Sequence, residues 1–415
     1  MKVLWLSVTP ALYDETKIGG WIAALERIVQ EKLNDAIELG IVFEYDTDKR
    51  KEKKSGVTYY PINGSGSFID KFKNKYNINN RWKCIRPQII SAIEDFQPDI
   101  IHCFGSEWTY GAIGAYTNVP VVIHMQGFMN IYNLSSILSF PLYERLRVHK
   151  YSPLAFIRFY NSKIRIKNEN AFEKQVMQST KYFMGRTEWD KNIVHFFSPN
   201  AKYYYCPEAL RREIYNAEKT WKYEDNKTLR LITVTQANSL KGNEMILRTA
   251  KILKEFGVEF TWRVAGRKEA FCEFEKKIGI YHQDVNVQLL GMINTTQIIN
   301  ELSSARFYVH PAIIDNSPNS LCEAQIIGCP VIATNVGGIP QLVEEGTTGF
   351  LYPYNEPYAL AFLIMNLMHD REKLDYISSN EIQVSRKRHN PDTISTTLIN
   401  IYSDIINEAK GHKKK

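Results

Sequence analysis

Short apolar runs alternate with amphipathic segments along most of the chain. In the first half these runs are largely apolar rather than alternating, which is typical of parallel strands buried on both faces. Residues 21–34 repeat apolar positions with the period of a helix. The pattern predicts strands at 3–8, 37–43, 99–104, 119–125, 181–185 and 202–206.

The same pattern restarts after residue 228. Helical segments are predicted between the strands, among them 242–256 and 295–304. Two successive series of strand–helix–strand units predict an α/β protein with two Rossmann-like, doubly wound domains. The strands of the second series are predicted at 229–235, 259–266, 285–291, 305–311 and 330–334.

The length of 415 residues also favours two domains, because a single hydrophobic core rarely grows so large. The stretch 207–228 is polar and poorly periodic, which predicts the linker between them. We therefore expect an N-terminal domain at 1–206 and a C-terminal domain at 207–390. A last helix is predicted at 391–409, and we expect it to pack back on the N-terminal domain.

Composition indicates a soluble globular protein, with 44% hydrophobic and 23% charged residues. The net charge of +7 fits an anionic ligand or an anionic lipid surface. Six cysteines show neither a CxxC pair nor zinc spacing, so reduced thiols are expected. No apolar run approaches the roughly 20 residues of a spanning helix. We expect a cytoplasmic protein with peripheral contact to the inner face of the plasma membrane.

Several residues with candidate chemistry follow strands, and open α/β sheets bind ligands at the carboxyl ends of their strands. Gly19 and Gly20 open a helix after the first strand and could offer amides to a phosphate, or form a plain turn. His124 ends a strand and could bind a sugar or be a structural histidine. Lys241 precedes a helix and could bind a diphosphate or be a solvated surface charge.

The segment "DNSPNSLCEA" places two carboxylates around a predicted helix start near Ser320. Free backbone amides at residues 319–321 would attract an anion. Asp315 precedes these amides and Glu323 follows on the first turn, so the two acids could hold hydroxyl groups on either side of a diphosphate. The alternative is a helix with an ordinary N-cap and a stabilising glutamate in its first turn.

Residues 229–353 resemble the retaining glycosyltransferases of family 4, which have the GT-B fold. That family pairs a "KG" motif with two acids that are separated by seven residues and followed by a "PVIAT-x-x-GG" segment. Three positions depart from its pattern, since Asp315 replaces a glutamate, Gln236 an arginine and Gln341 a glutamate. The matching residues are Lys241, Gly242, Glu323, Gly328, Pro330, Val331, Ile332, Ala333, Thr334, Gly337, Gly338, Val343, Gly346, Gly349 and Leu351, with Gly19, Gly20 and His124 as N-terminal matches.

The resemblance implies two domains that face each other across a cleft and a transferase that needs no metal. The donor would be a nucleotide-diphosphate sugar, with UDP favoured, and the acceptor a glycan or lipid-linked saccharide in surface polysaccharide assembly. His124 and Asp315 would contact the sugar, Glu323 the ribose, and Lys241 the departing diphosphate. The nucleotide-sugar would also contact Gly19, Gly20, Gln236, Asn319, Ser320 and Leu321.

A metal site is a weaker alternative. Metal-dependent transferases of the other common fold use an Asp-x-Asp motif, and one such triplet occurs at Asp46-Thr47-Asp48. It runs directly into the basic stretch KRKEKK, which favours a solvated turn. No metal or other cofactor is therefore expected.

The N-terminal half of such an enzyme usually holds the acceptor, and residues 145–167 there are unusual. They carry seven basic residues, no acid and four aromatics. This mixture favours peripheral contact with an anionic membrane that presents a lipid-linked acceptor, or else a solvated helix pair. No nucleic-acid-binding module accompanies the segment, so no nucleic-acid partner is expected.

Two other functions remain open from the residues. A nucleotide-sugar epimerase of the same fold would bind the same donor without an acceptor, and the basic aromatic segment argues against it. A non-catalytic nucleotide-sugar-binding protein would keep the pocket without turnover, and the substitutions at Asp315 and Gln236 are its support.

Overall fold

A computed structural model describes residues 1–14, 20–47, 49–64, 77–139, 141–148, 150–225, 228–235 and 239–412. The chain divides into two compact units. The first contains Met1–Asn133, Ile157–Ala209 and His389–Lys415, and the second contains Leu134–Phe156 and Leu210–Arg388.

The first unit is built on a sheet whose strands are parallel except for the edge pair β3–β4. The order of its described strands is β3-β4-β2-β1-β5-β6-β7-β8, so β1 lies centrally between β2 and β5. Its strands are β1 (Lys2–Ser7), β2 (Glu38–Glu44), β3 (Glu52–Lys54), β4 (Val57–Ile62), β5 (Ile100–Phe104), β6 (Val121–His124), β7 (Tyr182–Gly185) and β8 (Lys202–Tyr205).

The second unit has an all-parallel sheet in the order β11-β10-β9-β12-β13-β14. The central pair is β9–β12, where the strand order reverses, and such reversals are where open α/β sheets bind ligands. Its strands are β9 (Leu229–Val234), β10 (Phe260–Ala265), β11 (Val287–Gly291), β12 (Phe307–His310), β13 (Val331–Thr334) and β14 (Phe350–Tyr352).

Helices connect the strands of both sheets. In the part of the chain that the structure describes, no helix is both long enough and apolar enough to cross a membrane. The α-helices are α1 (Gly20–Lys32), α2 (Ile78–Phe96), α3 (Met129–Ser139), α4 (Leu142–Val148), α5 (Pro153–Ser179), α6 (Glu188–Phe197), α7 (Arg212–Tyr215), α8 (Asn243–Glu255), α9 (Glu269–Ile278), α10 (Thr295–Ser304), α11 (Asn319–Ile327), α12 (Ile339–Leu342), α13 (Pro357–Leu367), α14 (Arg371–Arg388) and α15 (Pro391–His412). The described residues also form 3-10 helices at Thr109–Tyr116, Ser239–Lys241 and His282–Val285.

The last helix, α15, is part of the first unit. Its apolar residues recur every three or four positions, so they form one face, and that face is fully or nearly fully buried with the residues of β1. Tyr402 lies on this face and accepts a hydrogen bond from Trp5 Nε1 at 3.1 Å. Its hydroxyl also lies 2.6 Å from His102 Nδ1. The buried residues of this face are Ile394, Leu398, Ile401, Tyr402, Ile405 and Ile406.

The two Rossmann-like units confirm the predicted fold class. Strands β3, β4 and β14 were not predicted. The predicted linker 207–228 does not form a free connection, because Trp221 is buried in the second unit and donates from Nε1 to Ala305 O at 2.7 Å. The predicted first domain included residues 134–156, which the structure groups with the second unit.

A buried carboxyl group in α14 makes stability depend on pH. Glu381 is fully buried, and neither of its oxygens has a hydrogen-bond partner within the described residues. Burial raises its pKa well above the usual value. As the pH rises, the unfolded chain therefore loses this proton at a lower pH than the folded chain does. Glu381 favours the folded state most below the ordinary glutamate pKa, and this contribution is lost as the pH rises towards the raised pKa.

We expect Glu381→Met to raise the free energy of unfolding by about 2 kcal/mol at pH 8, since an apolar side chain of similar shape removes the unsatisfied group. At pH 4 the gain should be smaller, because Glu381 is then protonated in the folded state and mostly protonated in the unfolded state. Urea unfolding at the two pH values measures this difference. Glu372→Met, an exposed position on the same helix, is the control. Equal gains at both pH values would contradict the prediction.

Candidate functional site

The carboxyl edge of the second sheet brings together the two polar loops that the sequence singled out. Lys241 ends the 3-10 helix that follows β9. Asp315 lies in the loop between β12 and α11, and both side chains are largely buried. The two strands are neighbours in the sheet, so their loops meet at its edge.

Asp315 and Lys241 form an ion pair at this edge. Lys241 Nζ lies 2.5 Å from Asp315 Oδ2, and the same oxygen lies 3.2 Å from His310 Nε2 at the end of β12. Burial raises the pKa of Asp315, but the Lys241 charge and the His310 ring outweigh burial and hold that pKa well below its usual range. Asp315 is therefore an ionised carboxylate, and it fixes the position of the Lys241 ammonium.

The loop that carries Asp315 is held closely on two sides. Gly242 has φ +73°, and a Cβ there would lie 1.7 Å from Pro311 O, so only glycine fits at this position. Gly338 N donates to Asp315 O at 3.0 Å. A Cβ on Gly337 would lie 2.0 Å from the same oxygen. The glycine turn after β13 thus holds the Asp315 backbone in place.

Helix α11 begins at Asn319 and has no side-chain cap, because Pro318 occupies the N-cap position. The alternative of an ordinary capped helix is therefore wrong. Within the described residues, neither the Asn319 nor the Ser320 amide donates a hydrogen bond. The Leu321 amide donates to Pro318 O at 3.0 Å, and its side chain lies in the core. The anion site predicted at residues 319–321 is therefore reduced to Asn319 and Ser320.

Glu323 is the fifth residue of α11, so it lies at the start of the second turn and not on the first turn as predicted. Its carboxylate accepts two hydrogen bonds from Arg211, at 2.7 Å from Nε and 2.6 Å from Nη2. Arg211 Nη1 also donates to Thr295 Oγ1 at 3.1 Å. Sequence reasoning missed Arg211, which lies 112 positions before Glu323 in the predicted linker.

A buried chain of polar groups links the helix start to Asp315, and sequence reasoning also missed it. Tyr308 donates from its hydroxyl to Ser320 Oγ at 2.8 Å and lies 3.1 Å from His310 Nδ1. His310 in turn contacts Asp315 through its other ring nitrogen. Burial lowers the pKa of His310, although the Asp315 carboxylate opposes this. The Ser320 and Asp315 side chains are therefore oriented together.

The N-terminal candidates lie in the first unit. Gly20 is exposed, begins α1 and has φ +57°. His124 is the last residue of β6 and is fully buried, and neither ring nitrogen has a partner within the described residues. Burial, followed by the nearby His102 and Arg186, lowers its pKa well below the usual value. Gly19, Gln236 and Asp48 lie outside the described residues.

The basic aromatic segment 145–167 does not form one surface element. Residues up to 148 belong to helix α4, where Arg147 Nη2 donates to Lys277 O at 3.3 Å in the second unit. The later residues belong to α5, where Ile157, Tyr160 and Ile164 are 57%, 65% and 40% exposed. The spacing of three and four residues places them on one stripe of that helix.

Comparison with known proteins identifies the second half of the chain. Residues 216–384 match the model of the family "Glycosyl transferases group 1" and form a domain of that family. The amylovoran biosynthesis glycosyltransferase AmsK of Erwinia amylovora is 26% identical over 148 residues, 34% of this chain and 36% of the relative. The capsular polysaccharide biosynthesis glycosyltransferase CapM of Staphylococcus aureus is 25% identical over 172 residues, which cover 41% of this chain and 45% of the relative.

Other relatives match over a longer part of the chain. The sulfoquinovosyl transferase SQD2 of Arabidopsis thaliana is 23% identical over 334 residues, which cover 76% of this chain and 58% of the relative. The chain thus spans less than two thirds of the length of these curated relatives.

Solved structures match the whole architecture. The sucrose-phosphate synthase from Thermosynechococcus elongatus superposes with a TM-score of 0.75 and 14% identity, covering 98% of this chain and 99% of that protein. The Anabaena protein HepE, in complex with UDP and glucose, has a TM-score of 0.66 and 15% identity, and the match covers 97% of this chain and 100% of HepE. These similarities show that the chain has the GT-B fold.

Proposed function

We propose that this protein is a retaining glycosyltransferase of family 4 that moves a sugar from a nucleotide-diphosphate sugar to a glycan or lipid-linked saccharide. The observation that carries the proposal is the arrangement at the edge of the second sheet. A buried Lys241–Asp315 pair lies in one loop cluster with the uncapped start of α11, and Glu323 lies one turn further along that helix.

Several findings support the finer parts of the proposal. AmsK and CapM are named for amylovoran and capsular polysaccharide biosynthesis, which supports an acceptor in polysaccharide assembly. HepE was solved with UDP and glucose, which supports a UDP-sugar donor. The resemblance to family 4 over residues 229–353 supports transfer with retention of configuration.

In the proposed complex, Lys241 meets the negative charge of the donor diphosphate. An ammonium group has three donors, so one can remain on Asp315 while the others bind phosphate oxygens. The amides of Asn319 and Ser320 add two donors at the positive end of the helix dipole. These groups would supply the charge stabilisation without a metal ion.

In the proposed reaction, the bond between the sugar C1 and the diphosphate oxygen breaks, and the diphosphate leaves with the bonding electron pair. The acceptor hydroxyl oxygen forms the new bond to C1 on the same face and passes its proton to the oxygen of the leaving diphosphate. Asp315 and His124 would contact the transferred sugar, and Glu323 would hold the ribose hydroxyls. Gly19, Gly20 and Gln236 stay predicted donor contacts.

We expect nucleotide binding to be measurable as a rise in melting temperature without added metal. UDP, GDP, ADP and their glucose conjugates form the panel, and one base should raise the melting temperature by several degrees. Glu323→Gln should abolish most of this rise, because an amide cannot accept hydrogen bonds at both atoms. Glu301→Gln is the matched control, since Glu301 also binds an arginine through both oxygens.

The outcomes separate the proposed function from its alternatives. Binding followed by transfer to an acceptor supports the transferase. Conversion of one nucleotide sugar into its epimer without an acceptor would favour the epimerase. Binding without either reaction would favour a non-catalytic protein, and no binding by any nucleotide would overturn the donor site itself.

We also propose that helix α5 contacts an anionic membrane that carries the acceptor. The exposed stripe of Ile157, Tyr160 and Ile164 is apolar, and the exposed basic residues beside it can attract anionic lipids. These basic residues are Arg158, Lys163, Arg165 and Lys167, of which Arg165 pairs with Glu169 at 3.6 Å.

We expect the protein to sediment with vesicles of phosphatidylglycerol and phosphatidylcholine, and to be released by salt because surface charge attraction is screened. Changing Ile157, Tyr160 and Ile164 together to serine should abolish the binding. The control changes Tyr358 and Phe362 to serine, which are exposed to 65% and 66% but lie on α13. Equal vesicle binding by both variants would contradict the proposal.

A further inference from the structure

The carboxyl edge of the first sheet holds a second group of polar side chains, in which His124 is also a predicted contact of the transferred sugar. His124 ends β6, Arg186 directly follows β7, and Glu107 lies three residues beyond β5. These three strands are neighbours in the sheet. Each side chain has at least one buried polar atom without a hydrogen-bond partner within the described residues.

Arg186 is the central member of this group. It is only 5% exposed, and Nη2 donates to Gln126 O at 3.1 Å while Nε has no partner among the described residues. The Asp190 carboxylate accepts from the Arg186 backbone amide and from the Tyr203 hydroxyl, not from the guanidinium. A buried guanidinium without a carboxylate partner is costly unless an anion joins it.

Trp21 joins Arg186 and His124 into one cluster. The guanidinium carbon lies 5.2 Å from the centre of the Trp21 ring. The same ring meets His124 edge-on, with 4.9 Å between ring centres. The indole therefore covers one face of the guanidinium and fixes its plane, and the buried Nε still lacks a partner within the described residues.

Glu107 does not neutralise the arginine at neutral pH. Burial, and then the Glu173 carboxylate, raise the pKa of Glu107 to about 8, although the Arg186 charge opposes this. His124 is neutral as well, because burial and the neighbouring charges lower its pKa. Glu107 and Gln126 are partly exposed, so the cluster lies next to the protein surface on their side.

We propose that Arg186, together with His124 and Trp21, binds an anionic group of the acceptor at the carboxyl edge of the first sheet. The group is a phosphate or a carboxylate, since both accept two parallel hydrogen bonds from a guanidinium. A phosphate would belong to a lipid diphosphate carrier, and a carboxylate to an acidic sugar. The inference rests on the proposed transferase function, because it assigns the acceptor of that reaction.

Calorimetry with three probes tests the site. Geranyl diphosphate supplies a phosphate, D-glucuronate a carboxylate, and D-glucose is the neutral control, each measured with saturating UDP. The wild type should bind one of the two anions, and Arg186→Gln should weaken that binding by about tenfold or more. Arg186→Lys should keep part of the anion affinity, since lysine keeps the positive charge but lacks the planar guanidinium that forms two parallel hydrogen bonds.

The affinity for UDP, measured first on every variant, separates this inference from the proposed function. Loss of anion binding in Arg186→Gln with unchanged UDP affinity supports the acceptor site, and the anion that is lost identifies its source. The inference is overturned if the wild type binds neither anion, or if Arg186→Gln binds them equally well. The inference is also overturned if Arg186→Gln loses affinity for UDP as strongly as it loses affinity for the anion, since Arg186 would then bind the donor.

Glu107 offers a second test if Arg186→Gln does not fold. Above a pKa of about 8, Glu107 becomes a carboxylate whose charge acts on Arg186 and competes with the anion. The anion affinity of the wild type should therefore fall about tenfold between pH 7 and pH 9. The anion affinity of Glu107→Gln should stay constant over this pH range. A constant anion affinity of the wild type would contradict the proposed anion site.

Discussion

Lys241→Met should lower the rate of sugar transfer by about 100- to 1,000-fold, the range typical for loss of one group that stabilises developing charge. Lys241 carries the positive charge nearest to Asp315, and that loop cluster also holds the free amides of α11. Charge grows on the diphosphate as it leaves, so the loss should appear mainly in kcat. Steady-state kinetics with a radiolabelled donor sugar measures it.

The matched control for this prediction is Lys251→Met on α8. Lys251 is about half exposed and forms a surface pair with Glu255 at 3.7 Å, so its loss should leave transfer unchanged. Asp315→Asn tests the other member of the buried pair and should also reduce kcat, because Lys241 loses the group that positions it. Normal kcat in Lys241→Met would remove this residue from the mechanism.

The positions of Lys241 and Asp315 at the sheet edge could be predicted because the sequence patterns that indicate them are local. Buried parallel strands produce continuous apolar runs, and the residues that follow them must lie at the carboxyl edge of a sheet. Lys241 and Asp315 could therefore be assigned to one edge before their contact was seen. The glycine turn at Gly337 and Gly338, which matches the family's glycine pair, holds the backbone of Asp315.

Contacts between distant parts of the chain left no such signal. Arg211 lies in a polar stretch without periodicity, and only the folded second unit brings it to Glu323. Helix α4 packs in the second unit through Arg147 although it comes from the first half of the chain. A hydrophobic pattern shows which face of an element is buried, but it does not identify the partner of a charged group.

Arg211→Met should weaken nucleotide binding by about tenfold and lower the free energy of unfolding by about 2 kcal/mol, somewhat below the cost expected for a fully buried pair. The guanidinium occupies one lone pair on each oxygen of Glu323, which leaves the other lone pairs for ribose hydroxyls. Without Arg211 the carboxylate is still nearly buried, but it has lost its orientation. Calorimetry with the preferred nucleotide and urea unfolding measure the two effects.

Arg263→Met separates positioning of Glu323 from a general loss of stability. Arg263 also binds a carboxylate through two hydrogen bonds, at 2.7 and 2.8 Å to Glu301, with similar exposure in the same unit. It should lower stability by a somewhat smaller amount, because Arg230 Nη2 still lies 3.7 Å from Glu301, and it should leave nucleotide affinity unchanged. In the double variant Arg211→Met/Glu323→Gln, part of the lost stability should return because no buried charge remains unpaired, while nucleotide binding stays weak. Equal loss of nucleotide affinity in Arg211→Met and Arg263→Met would show that Arg211 acts only through stability.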